Sequence, residues 1–293
     1  MTGPAILTTP ELRPLLPRSP QSVTVEIGDI PILLQPNDPK FCNVLEDRYA
    51  GFLNPDSRPA CQFEIQLDPK GRPSGEEARV TRRGALWSFR RGDFRATWDA
   101  RAGRGRIRQC PNPYSIDTVL RITHSLVLAR EGGFLVHAAS AIRNERAFLF
   151  AGVSGAGKTT MARLAPPDAT VLTDEISYVR RIGHEGAWLQ PSVTRHRHYK
   201  AYGTPFAGEL ARVGANTSAP LETLYLLVQG PENRISPVPK IDAARALMRH
   251  VLFFAEEEEM VARVFDSVLE FVSRVDVAQL VFTPDARAWE LIR

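Results

Sequence analysis

The chain has 293 residues, of which 43% are hydrophobic and 24% charged, a composition that excludes wholesale disorder and suits a packed core. Its three cysteines, Cys42, Cys61 and Cys110, form no CxxC pair, which argues against a disulfide scaffold or a cysteine metal site and favours a reducing compartment. The formal net charge of +4 suits anionic ligands but does not by itself indicate a nucleic-acid binder.

The N-terminal stretch "MTGPAILTTPELRPLLPRSP" lacks the basic segment followed by an apolar segment that a signal peptide requires. No apolar run reaches the roughly 18 residues that a membrane span needs. We therefore expect a soluble, cytoplasmic protein with no membrane partner.

Residues 1–115 are predicted to form a small, mainly antiparallel β domain. The segments "SVTVEIGDIPILL", "CQFEIQL", "ALWSF", "DFRATWD" and "RGRIRQC" are strand candidates. The intervening "RRGD" and "RAGRG" are typical of hairpin turns.

The hairpin region from Arg79 to Gln109 is rich in arginine. It contains ten arginines, against Asp93 and Asp99. Four aromatic residues are interleaved with them: Trp87, Phe89, Phe94 and Trp98. Nucleic-acid binding is one interpretation. We favour core-facing aromatics with solvated arginines, or docking of an acidic peptide.

Residues 116–293 are predicted to form an α/β domain. "FLVHAASAI", "RAFLFAG", "ATVLTDEISYV" and "TLYLLVQ" are strand candidates, and a helix after "RAFLFAG" should end before Pro166. Apolar spacing predicts two further helices between "KIDAARALM" and "FVSRV", and "VAQLVFTPDARAWELI" predicts a last strand and a short helix. We expect the strands around Lys158 and Asp174 to share one sheet and to bring these two residues together at one end.

The segment "GVSGAGKT", residues 152–159, matches the phosphate-binding pattern G-x-x-x-x-G-K-S/T. Glycines let backbone N–H groups face phosphate oxygens, the lysine reaches the terminal phosphates, and the following hydroxyl can ligate magnesium. The flanking strand and helix candidates argue against a chance glycine-rich turn. We predict ATP and Mg²⁺ as cofactors, with these nucleotide-binding residues: Gly152, Ser154, Gly155, Ala156, Gly157, Lys158, Thr159 and Thr160.

Two adjacent acids, Asp174 and Glu175, follow the strand "TVLT" only 15 residues after Thr159. A pair of acids at a strand end could hold magnesium, orient a nucleophile or accept its proton. An ordinary solvated strand end is the alternative.

Together, "LVHAASAI", "FLFAGVSGAGKTTMARL" and "VLTDEISYV" resemble the catalytic domain of the bacterial HPr serine kinase/phosphorylase family. The loop is also similar to that of ATP-dependent phosphoenolpyruvate carboxykinase. "YGTPFAGEL" and the C-terminal "VAQLVFTPDARAWELI" resemble relatives found beside peptide-tailoring enzymes, including lasso-peptide kinases. The resemblance covers roughly residues 130–293 and implies an α/β P-loop catalytic domain of the HPr-kinase/carboxykinase type.

The resemblance also implies roles for individual residues. Asp174 would accept the serine hydroxyl proton, Lys158 would stabilise the transferring phosphate, and Thr159 would hold magnesium together with the two acids. Glu175 stands where these relatives usually have a second aspartate. His137 would line the active site, and a buried, hydrogen-bonded strand histidine is the alternative. Residues 1–115 do not resemble the regulatory domain of HPr kinase, so HPr itself is not the expected substrate.

The predicted function is therefore that of an ATP-dependent serine kinase acting on a peptide or protein, such as a ribosomal peptide precursor. A small-molecule kinase for a free amino acid or nucleoside, and a non-catalytic nucleotide-gated peptide-binding protein, are the alternatives. A homo-oligomer is one possible assembly state of the chain. The basic run "TRHRHYK" could steer an anionic substrate or form a solvated loop: Arg195, His196, Arg197, His198 and Lys200.

Overall fold

The computed structural model describes residues 21–69, 74–182 and 198–292. The first of its two sheets has the strand order β1-β2-β3-β7-β6-β5-β4. These strands are β1 (Val23–Ile27), β2 (Ile30–Pro36), β3 (Cys61–Leu67), β4 (Arg79–Arg83), β5 (Leu86–Arg91), β6 (Phe94–Asp99) and β7 (Arg104–Gln109).

The first sheet is mixed, although the expected hairpins are present. β4 to β7 pair as consecutive antiparallel neighbours, and β1 pairs with β2 in the same way. In contrast, β3 runs parallel to both β2 and β7. Helix α1 (Pro39–Arg48), capped by the Asp38 side chain on Lys40 N at 2.8 Å, returns the chain so that β3 starts at the same end as β2.

Within the described part of the chain, the second sheet has nine strands. They are β8 (Phe134–Arg143), β9 (Arg146–Ala151), β10 (Ala169–Thr173), β11 (Ile176–Arg181), β12 (Tyr199–Tyr202), β13 (Ser218–Gln229), β14 (Arg234–Pro237), β15 (Val251–Leu252) and β16 (Asp276–Phe282).

Strand β8 organises this second sheet because it pairs with four other strands. Its first half contacts β11 and β15, and its second half contacts β9 and β10. The pairings β8-β11-β12-β13-β9-β8 close into a ring, and β13 runs parallel to both β9 and β16. The strands that flank Lys158 and precede Asp174 therefore share one sheet, as the sequence predicts.

In addition to α1, four α-helices and a 3₁₀ helix complete the described fold. The helices α4 (Lys240–Met248) and α5 (Glu258–Arg274) and the 3₁₀ helix Ala286–Leu291 lie in the segments where the sequence predicts helices. Helix α3 (Lys158–Arg163) ends before Pro166, as predicted. Among the described residues, no helix combines the length and the apolar character needed to cross a membrane.

Helix α2 (Pro113–Glu131) spans the expected boundary at residue 115 and is not predicted by the sequence reasoning. Asn112 caps its N-terminus, and the helix ends at Gly132, whose φ is +77°. One hydrophobic core contains Trp87 of the first sheet, Leu120 of α2 and Tyr178 of β11. The two predicted regions therefore pack against each other through α2.

The buried His124 of α2 is expected to make the fold sensitive to acid. Its side chain is 0% exposed, and Nδ1 lies 3.2 Å from the Tyr178 hydroxyl. Burial lowers the pKa of His124 to about 3, so the unfolded chain binds the proton first as the pH falls. The stability contributed by neutral His124 is complete above about pH 6.5 and is lost progressively below it.

Between pH 7 and pH 5 we expect this group to lower the free energy of unfolding by about 2 kcal/mol. Urea unfolding of wild type and His124→Gln at both pH values measures the effect, and the variant should lose that part of the pH dependence. An identical pH dependence in the two proteins would show that His124 is not responsible.

Candidate functional site

The predicted phosphate-binding loop connects the end of β9 to the start of α3. Gly155 and Gly157 have φ values of +79° and +105°, in the left-handed region that glycine tolerates best. A Cβ atom on Gly157 would lie 2.5 Å from Cζ of Phe282. Gln229, at the end of β13, donates a 2.8 Å hydrogen bond from Nε2 to the Gly155 carbonyl. Both backbone conformation and packing therefore require glycine at position 157.

Lys158 is buried at the base of this loop, with 8% of its surface exposed. Its Nζ donates hydrogen bonds to the carbonyls of Gly152 at 2.9 Å and Val153 at 3.3 Å. Burial lowers the pKa of Lys158, while the nearby carboxylates of Glu209 and Glu175 raise it. The loop carbonyls therefore hold a cation beside two acids.

Asp174 lies at the end of β10 and is only 4% exposed. Its Oδ1 accepts from Gly208 N and its Oδ2 from Leu210 N, each at 3.0 Å. A Cβ atom on Gly208 would lie 2.8 Å from Asp174 Oδ2. The carboxylate therefore holds the segment 207–210 against the end of β10 by two hydrogen bonds. The alternative interpretation of Asp174 as an ordinary, solvated acid at a strand end is wrong, because its side chain is buried.

Glu175 is partly buried beside Asp174. Burial raises the pKa of Glu175, the charge of Asp174 raises it further, and Arg121 opposes the shift. Arg121 belongs to α2, and its Cζ lies 4.7 Å from the centroid of the Phe206 ring. Its Nε has no hydrogen-bond partner among the described residues. Sequence reasoning missed Arg121 because α2 itself was not predicted.

His137 lies on β8, and its side chain is exposed in the cleft rather than buried. Its backbone N donates to the His250 carbonyl at 2.7 Å. The surrounding protein still removes enough water to lower the pKa of His137, and the charges of Lys158 and Arg121 lower it further. The alternative of a buried strand histidine is therefore wrong, and the lowered pKa favours the neutral form of the His137 imidazole.

A cleft of about 560 Å³ brings these side chains together. Of the predicted site residues, only Gly152 and Ala156 do not line it, and both are buried. Ala207, Gly208, Glu209 and Gln229 line the cleft without having been assigned a role. The first three lie in "YGTPFAGEL", whose resemblance to relatives of peptide-tailoring systems is the sequence signal for this segment. The lining residues are His137, Ser154, Gly155, Gly157, Lys158, Thr159, Thr160, Asp174, Glu175, Ala207, Gly208, Glu209 and Gln229.

The cleft suits magnesium only together with phosphate oxygens. In the described part of the chain, no group of three or more His, Cys, Asp or Glu side chains is arranged to hold a metal ion. Thr159, Asp174 and Glu175 nevertheless line one cleft, and Mg²⁺ commonly uses one or two carboxylates plus substrate phosphates. The predicted metal ligands therefore fit a phosphate-dependent Mg²⁺ site.

The predicted basic run lies largely outside the described residues. Arg195, His196 and Arg197 fall in the undescribed range 183–197. Lys200 lies on β12 opposite Arg180 of β11, and neither Lys200 nor His198 lines the cleft. A steering role for the run stays a prediction.

Comparison with known proteins identifies one family. Residues 115–293 match the family described as SynChlorMet cassette protein ScmC. A search of curated proteins found no match. The matched range covers more than half of the chain, starts within α2 and includes the glycine loop, both acids and the segment 207–210. The chain therefore belongs to the SynChlorMet cassette protein ScmC family.

Proposed function

We propose that this chain is an ATP-dependent phosphotransferase that phosphorylates a serine-type hydroxyl on a peptide or protein, such as a ribosomal peptide precursor. The observation that carries the proposal is a single cleft lined by Lys158, Thr159, Asp174 and Glu175. The family description names no reaction, so the support comes from these residues and from the resemblance to HPr kinases.

Five side chains in the cleft have proposed tasks. Lys158 neutralises negative charge on the terminal phosphates of ATP, because its ammonium group is held at the loop. Thr159 and the acids hold Mg²⁺, which supplies charge neutralisation and orientation of the phosphates. His137, whose lowered pKa favours the neutral imidazole, offers a hydrogen-bonding group to the acceptor.

The proton acceptor is proposed to be Asp174, with Glu175 as the competing candidate. Asp174 already accepts two backbone N–H groups, and a carboxylate has further lone pairs for a hydroxyl. Glu175 makes no side-chain hydrogen bond with the described residues, and its raised pKa is nearer neutrality. Both residues line the cleft, so replacing each one separately distinguishes them.

Two alternative functions would use the same cleft. A small-molecule kinase would phosphorylate a free amino acid or nucleoside with the same residues. A nucleotide-gated binding protein would bind ATP without transferring phosphate. The two adjacent acids favour catalysis, because phosphate binding alone needs a cation rather than carboxylates.

The testing experiment incubates the purified chain and Mg²⁺ with ATP labelled in its terminal phosphate. Serine-containing peptides, free serine and nucleosides are offered separately, with a metal chelator as the matched control. We expect Mg²⁺-dependent label on serine in a peptide. Label on free serine or a nucleoside would favour the small-molecule kinase, and ATP binding without any transfer would favour the binding protein. A chain that does not bind ATP would overturn all three.

A further inference from the structure

The seven-stranded sheet has one face in the core and one face lined with arginines. Trp87, Phe89 and Trp98 are each at most 3% exposed and alternate along their strands with residues that are partly or fully exposed. The opposite face exposes Arg90 and Arg95. This alternation explains how the hairpins bury their aromatic side chains. It does not explain why arginines of adjacent strands lie directly opposite one another.

Four arginines form a continuous line across four adjacent strands, which we call the arginine row: Arg79, Arg90, Arg95 and Arg108. Arg79 of β4 pairs with Arg90 of β5, Arg90 with Arg95 of β6, and Arg95 with Arg108 of β7. Side chains directly opposite each other have Cβ atoms about 5 Å apart, and like charges there are destabilising. The sheet therefore keeps an arrangement that its own stability does not favour.

Among the residues that the structure describes, carboxylates on this face neutralise only one end of the row. Asp68 pairs with Arg108 at 3.0 Å, and Glu64 pairs with the neighbouring Arg106 at 3.0 Å. Arg79, Arg90 and Arg95 make no ion pair or side-chain hydrogen bond with any residue that the structure describes. Their guanidinium groups are exposed donors for anionic oxygens.

A groove of about 730 Å³ lies along the row and crosses from β2 to β5. Its lining includes Arg90 and Arg95, the ion pair of Glu64 with Arg106, and the uncharged polar side chains of Gln35, Ser88 and Thr97. The amide and hydroxyl groups can donate to and accept from a peptide backbone. The groove thus combines unpaired cations with hydrogen-bonding groups.

We propose that the arginine row and its groove bind an acidic segment of a partner peptide, laid across the strands. Four strands spaced about 4.8 Å apart span about 14 Å, which an extended peptide covers with about five residues. This inference does not rest on phosphoryl transfer, and the row lies outside residues 115–293, the range that matches the family.

The same face is poorly suited to single-stranded nucleic acid or to the chain's own N-terminus. Single-stranded nucleic acids usually stack on exposed aromatics, whereas the four aromatics of these hairpins are buried in the core: Trp87, Phe89, Phe94 and Trp98. Residues 1–20 contain one acid, Glu11, and two arginines, so their charge does not complement the row.

The test measures binding of a fluorescent peptide of about ten residues, alternating glutamate and serine, by anisotropy at low ionic strength. The Arg90→Gln/Arg95→Gln double variant should raise Kd by about tenfold or more, and added salt should weaken wild-type binding. Arg101→Gln/Arg234→Gln is the matched control, because it removes two exposed arginines outside the row. It should raise Kd by less than about threefold.

Several results would overturn the assignment. These are equal Kd values for wild type and the row variant, an equal loss in the control pair, or undiminished binding of a peptide with glutamine replacing glutamate. Tighter, row-dependent binding of single-stranded DNA or RNA would identify nucleic acid as the occupant. Row-dependent self-association in sedimentation equilibrium would identify a second copy of the chain. Thermal unfolding confirms that each variant is folded before binding is measured.

Discussion

Replacing Lys158 by alanine is expected to lower phosphoryl transfer by about 10²–10³-fold and to weaken ATP binding. The ammonium group is the cation held at the glycine loop, through the carbonyls of Gly152 and Val153. Without it, negative charge on the terminal phosphates is no longer offset at this position. Single-turnover transfer and ATP titration measure the two effects separately.

The control for this variant is Arg163→Ala, which removes a cation from the same helix, α3. Arg163 is exposed and does not line the cleft, so its loss should change transfer by less than about threefold. Lys158→Met, which keeps most of the buried stem, separates loss of charge from loss of packing. Phosphoryl transfer at a near wild-type rate by folded Lys158→Ala would contradict the phosphate-binding role proposed for the loop.

Replacing the proton acceptor is expected to lower the transfer rate by about 10²–10⁴-fold at saturating ATP. If Asp174 has this role, Asp174→Asn shows the loss and Glu175→Gln shows a much smaller one. Asp174→Asn also removes one of two acceptors for the amides of Gly208 and Leu210, so the segment 207–210 should loosen. Hydrogen exchange of those two amides reports this structural effect independently of the rate.

The dependence of the rate on pH and magnesium distinguishes the roles of the two acids. A base must be deprotonated, and burial raises the pKa of Glu175. If Glu175 is the base, the rate falls as pH drops through a value above the ordinary 4.3 or so, and Glu175→Gln abolishes that fall. If an acid is chiefly a metal ligand, excess Mg²⁺ should restore part of the rate of its variant.

Glu209→Gln serves as the reference variant because it removes the third carboxylate of the cleft. Glu209 is exposed, and its negative charge acts on the site by raising the pKa of Lys158. It should change the rate less than replacement of the proton acceptor does. Wild-type transfer rates from both Asp174→Asn and Glu175→Gln would contradict general-base catalysis by either acid and would favour the nucleotide-gated binding protein.

Much of the candidate site was predictable because its signals are local. Gly155, Gly157 and Lys158 form a pattern that depends on neighbours within one loop, and the two acids directly follow a recognisable strand. Arg121 and Glu209 carried no comparable signal. The packing of α2 brings the charge of Arg121 close enough to act on Glu175 and His137. Glu209 lines the cleft because Asp174 accepts hydrogen bonds from the backbone of the segment 207–210.

The sequence by itself determined the glycine loop, the hairpins of the arginine-rich region and the amphipathic helices near the C-terminus. Each of these depends on the spacing of residues close together in the chain. Only the tertiary structure decided that β3 runs parallel to β2 and β7, because alternating strands show the same pattern in either direction. The tertiary structure also decided the position of α2. This helix is buried on nearly every side, and its buried residues include the polar Thr123 and His124. Its sequence therefore shows no apolar stripe of the kind that predicts an amphipathic helix.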